Sequence, residues 1–120
     1  MKIINKKIKI MITYDWNCKT VDAYVEKNGN SDVAYNIHWK VSGTKENGEE
    51  VYTYKIIGTQ QLETKEIVNF IPFDQVTNAQ LVEWTQTAMG VEQVSDIEHS
   101  ISQSIETLIN PVSKTITAKD

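Results

Sequence analysis

The stretch Val33-Ala34-Tyr35-Asn36-Ile37-His38-Trp39-Lys40-Val41-Ser42 decides the fold. Val33, Tyr35, Ile37, Trp39 and Val41 are apolar at every second position, with Ala34, Asn36, His38, Lys40 and Ser42 between them. Successive side chains of a strand point to opposite faces, so this alternation predicts one face against a core and one against water or a partner.

Turn chemistry brackets this strand on both sides. Asn28-Gly29-Asn30 supplies residues that tolerate positive φ, and Lys45-Glu46-Asn47-Gly48 makes the next turn. A strand over 18–26, with Val21, Ala23 and Val25 on one face, precedes the first turn. Val51–Gly58 follows the second, with Tyr52, Tyr54 and Ile56 on one face and Val51, Thr53 and Ile57 on the other. Residues 8–13, IKIMIT, alternate Ile8, Ile10 and Ile12 with Lys9, Met11 and Thr13 and predict another strand at the start. Connections this short permit only antiparallel neighbours, so the strands form a meander of about four.

Phe70-Ile71-Pro72-Phe73 changes the pattern. Pro72 removes a donor and keeps Ile71 out of the helical region, which predicts an extended linker. Thr77 with Gln80 three residues on is a capping-box arrangement, and Val76 can staple onto Leu81. Leu81, Trp84, Thr85 and Ala88 share a face of the helix so started, and Gly90 is placed to end it. Val91, Val94, Ile97, Ile101, Ile105 and Leu108 recur by three or four and predict a second helix, closed by Asn110-Pro111. Residues 112–118 alternate again and allow either a tail or a short final strand.

The expected architecture is therefore α+β in one domain: an antiparallel β-meander packed against two C-terminal helices. Its parts are an N-terminal extension (1–10), the meander (11–63), a linker (64–76), the helical pair (77–110) and a tail or strand (111–120). Trp39 and Trp84 read as core anchors, one on the sheet and one on the helix covering it.

Composition narrows the function classes. A chain of 120 residues suits one domain, and 40% hydrophobic with 23% charged residues is ordinary for a globular protein. The net charge is −4, and all 12 basic residues are Lys. Without the bidentate Arg fork, sequence-specific nucleic-acid recognition is not expected. Lys2, Lys6, Lys7 and Lys9 read as a solvated face rather than a phosphate-binding cluster. No apolar run reaches the ~20 residues a membrane-spanning helix needs, so no membrane partner is expected. The opening MKIINKKIKI has lysines interrupting any apolar stretch, unlike a secretory signal; this and the single Cys18 point to synthesis in cytoplasm, including particles assembled there.

Nothing in the chain predicts a catalytic, cofactor or metal site. His38 and His99 sit in unlike elements without a carboxylate or thiol at metal spacing, and Cys18 has no family signature around it. There is no phosphate-cradling glycine loop and no nucleophile elbow. An enzyme would require His38 and Cys18 to meet in a pocket. The rings of Trp16, Tyr52 and Tyr54 are hard to bury together in so short a chain, so with Ile8 and Ile10 they are the expected partner-contact residues.

Taken together, Asn36-Ile37-His38-Trp39, Gly43-Thr44, Gly58-Thr59-Gln60, Phe70-Ile71-Pro72-Phe73, Thr77 through Trp84, Gly90-Val91-Glu92-Gln93-Val94 and Asn110-Pro111 resemble a small uncharacterised family. Its members are encoded by tailed bacteriophages and prophages, particularly of aquatic bacteria. The resemblance covers nearly all of Met11 to Pro111 and leaves the first ten residues outside it. It implies a non-enzymatic virion component (head decoration, neck or tail) that contacts other virion proteins or itself. The alternative it leaves is a soluble phage-encoded module that binds a host protein.

Overall fold

The computed structural model describes residues 11–67 and 69–119. Three strands, β1 (Thr13–Lys27), β2 (Asn30–Asn47) and β3 (Glu50–Gln61), form one antiparallel sheet in the order β1-β2-β3. A 3-10 turn at Phe73–Gln75 leads to α1 (Asn78–Met89), and α2 (Val91–Ile109) follows at once. The α+β class, the meander and the helical pair are as the periodicities predict.

The strand count differs. Among the described residues there are three strands, because Thr13–Lys27 is continuous where two separate strands were expected. No glycine or proline interrupts Thr13–Lys27, and Thr13–Asn17 pair with Thr44–Lys40. Most of the expected 8–13 strand, with Ile8 and Ile10, lies outside the described residues. At the other end, 112–118 joins no ladder. Val112 and Ile116 are 91% and 77% exposed, with no strand beside them among the described residues.

Both hairpins turn at residues with positive φ, Asn28-Gly29 and Gly48. Register shifts interrupt the β1–β2 ladder between Asn17 and Thr20 and between Asp22 and Ala23. In the first, Cys18 and Lys19 stand opposite Trp39 alone, and this bulge sends Cys18 inward.

The core lies on one side of the sheet. Cys18, Ile37, Trp39 and Val41 meet Leu81, Ile101 and Ile105 in a single cluster. Gly58, opposite Trp39 on β3, lies under the indole ring: a Cβ there would sit 2.8 Å from Trp39 Cε2. The glycine lets Trp39 lie flat across the edge strand. The Trp39 Nε1–H is buried without a hydrogen-bond partner among the described residues.

The helices start and stop where their signals stand. Thr77 Oγ1 accepts the Gln80 amide at 3.1 Å, while the Gln80 side chain donates to Glu83 instead of returning to the cap, so half of the capping box forms. Leu81 is buried, and Val76 packs against the same core. Gly90 at φ 90, ψ 159 joins the helices without a loop, a backbone region essentially reserved for glycine. Of the α2 stripe, Ile101 and Ile105 are fully buried, Ile97 packs against the core, and Val91 and Leu108 are exposed near the helix ends. Trp84 is half-buried, flanking the core rather than anchoring it.

Candidate functional site

Directly opposed residues of an antiparallel ladder project to the same face, so the registers assign every side chain of the sheet. Tyr14, Trp16, Val21, Ile37, Trp39, Val41, Tyr54 and Ile56 fall on the helix-covered face. The opposite face is crossed by Asp15–Ser42–Lys55, Asn17–Lys40–Ile57, Thr20–His38–Thr59 and Asp22–Asn36–Gln61. No element among the described residues covers it. It is broad, polar and mixed in charge, and Ile57 stands out on it at 75% exposed.

Three of these residues are tied together. Asn36 Nδ2 donates to Asp22 Oδ2 at 2.9 Å, and His38 Nε2 lies 3.0 Å from the same oxygen. The hydrogen bonds from Asn36 and His38, with the His38 charge adding to them, hold the Asp22 carboxyl below its ordinary value. The cluster is exposed and shallow. It orders the face rather than forming a cleft.

The expected contact residues separate. Trp16 is half-buried, tilted against Trp39 with ring centroids 5.9 Å apart, and its Nε1–H donates to a Glu98 carboxylate oxygen at 2.9 Å. Tyr52 also packs against the core. Tyr54 is exposed at 39% and lies on the outer strand, where Val51 and Ile57 are 61% and 75% exposed. β3 thus carries three exposed apolar side chains, while Tyr24 and Val25 on β1, Val91 and Leu108 on α2, and Val112 and Ile116 beyond it are exposed elsewhere. Val51 and Ile57 were missed because a polar face gives single apolar residues no periodicity; their place on an edge strand is the signal.

His38 and Cys18 do not meet. His38 lies on the open face. Cys18 is fully buried on the other, its Sγ 3.7 Å from Thr85 Oγ1 and its amide donating to Asn78 Oδ1 at 2.7 Å. Burial pushes the Cys18 thiol up, against a smaller opposite pull from Thr85. The two side chains form no nucleophile–base pair. Among the described residues no three of His, Cys, Asp and Glu come together as metal ligands, and no helix is long and apolar enough to cross a membrane.

One concavity of about 460 Å³ lies between the 62–76 connection and α1, lined by Leu62, Ile67, Phe70, Phe73, Val76 and Trp84 among others. It is the underside of the linker that carries the chain from sheet to helix.

A family model described as a domain of unknown function (DUF7936) matches residues 11–118. The chain belongs to that family. The match spans every strand and helix described above and, like the resemblance read from the sequence, leaves out the first ten residues. No curated protein and no solved structure matches the chain.

Proposed function

We propose that this member of the DUF7936 family is a non-enzymatic structural or accessory component of a bacteriophage particle, in the head decoration, neck or tail, acting through protein–protein contact. The observation that carries the contact reading is the division of the sheet. One face is consumed by the helices, while the other face and the β3 edge present a broad polar surface with Val51, Tyr54 and Ile57 exposed along it. Exposed apolar and aromatic side chains within a polar surround fit the core-and-rim arrangement of a contact patch. The phage assignment rests on the sequence resemblance, and on no residue of the site.

Mass spectrometry of purified particles from a phage encoding the chain tests this. The protein is expected in intact particles in stoichiometric amount, with synthesis late in infection. Absence from particles, together with early synthesis and recovery on a host protein, would replace the reading with that of a host-binding module.

A further inference from the structure

Resting on the contact reading above, we infer that residues 112–118 of one copy add as a strand to the outer edge of β3 in a second copy, so that the chain associates with itself by exchanging C-terminal arms. β3 is paired with β2 on one side only, and among the described residues no backbone hydrogen bond reaches its other edge. This edge runs over 12 residues without proline, and exposed apolar side chains flank it on both faces: Val51 and Ile57 on the open side, Tyr54 on the helix side. An edge that long is a template for another strand unless something blocks it.

The sheet's opposite edge is interrupted: Asn78 accepts from the Cys18 amide, and the β1–β2 ladder is bulged beside it. β3 is the more regular of the two edges.

The arm supplies a matching strand. Val112-Ser113-Lys114-Thr115-Ile116-Thr117-Ala118 has no glycine or proline, is rich in β-branched residues, and puts Val112 and Ile116 on one face. Every residue of it is exposed, and among the described residues it has no ladder partner. Seven extended residues span ~23 Å, well within the ~40 Å of β3. The ion pair of Lys45 Nζ with Glu106 at 3.6 Å sets the last turn of α2 at the β2–β3 hairpin, so the arm leaves the domain there. Charges match as well: the arm carries Lys114, and the β2–β3 hairpin carries Glu46 at the end of β2, Glu49 in the turn and Glu50 at the start of β3. Donor and acceptor are different surfaces, so unreciprocated addition builds a ring or filament, and reciprocal exchange closes a two-fold dimer.

Sedimentation and light scattering of the full chain over a wide concentration range test this, with two variants. Thr115→Pro removes a ladder donor from an exposed arm residue; Val51→Lys with Ile57→Lys places charge on two exposed edge residues. Circular dichroism identical to wild type establishes that both retain the fold. Wild type is expected to rise to at least twice the mass of one chain, each variant to stay a single chain, and an equimolar mixture of the two to recover a mixed dimer. A wild-type chain that remains single throughout, or a Thr115→Pro variant that assembles as wild type does, overturns arm exchange. Particle mass spectrometry is read independently, so such a failure is distinguishable from failure of the particle assignment.

Discussion

Trp16 Nε1 donates to a Glu98 carboxylate oxygen at 2.9 Å, tying the first strand to the second helix across 82 positions of sequence. Tyr14, two residues away on the same face, donates its hydroxyl to the Glu98 carbonyl at 3.1 Å. These bonds fix where α2 crosses β1. Trp16→Phe leaves the half-buried carboxylate without its donor, and hydrogen bonds to charged groups contribute about 1.5–3 kcal/mol. Urea unfolding is expected to show a loss of about 2 kcal/mol with an unchanged m value. A loss within error of zero would mean that Trp16 is free at the surface.

Asn78 Oδ1 and the Cys18 amide make the corresponding tie for α1. Asn78→Ala strands a donor at the bulge and should cost about 1–3 kcal/mol. Asn78→Asp retains an acceptor and should lie much nearer wild type. Equal losses in the two variants would contradict the assigned bond.

Gly58→Ala drives a methyl group into the Trp39 ring, itself only 7% exposed. Overpacking of this kind costs about 1–3 kcal/mol. Thermal unfolding should report it, along with an altered near-ultraviolet tryptophan signal.

The Cys18 thiol is buried, and burial raises its pKa. Both effects suppress the thiolate, the form that alkylating reagents attack. Cys18 should resist alkylation in the native protein and react fully in denaturant, with native labelling following opening of the β1–α1 contact. Prompt native labelling would place Cys18 outside the core.

Asp22 has a folded-state pKa below its ordinary 3.8. Its contribution to stability is therefore present above that value and is lost as pH falls through the lower folded pKa. In an NMR titration, Asn36→Ala should move the Asp22 midpoint upward, since the Asn36 hydrogen bond is the largest cause of the shift. An unmoved midpoint would contradict the assigned cause.

Elements with unbroken periods were legible in the sequence. Val33 to Val41 alternates without a gap, and the structure puts Ile37, Trp39 and Val41 in the core. Thr77 and Gly90 mark helix ends through backbone chemistry that needs no tertiary partner. β1 was less legible because the bulge at Cys18-Lys19 shifts its alternation, so Trp16 and Val21 face the core from positions that no single period of two connects. Trp16 read as a contact residue for the same reason: its partner, Glu98, is brought to it only by the fold. Tyr52 faces inward because the register sets it opposite Lys45, beneath the end of α2, which a strand period alone does not reveal. The free edge of β3 follows from the short connections, since the last strand of a meander has one neighbour; which apolar side chains stay exposed along it depends on where the helices lie.

We propose that this domain works by contact through the open face and outer edge of its sheet, and a density map of an assembled particle with the chain traced in it is the decisive test. The chain is expected in place, with β3 and the open face against neighbouring protein. A particle lacking the chain, or holding it with Val51, Tyr54 and Ile57 turned to solvent, would contradict the claim.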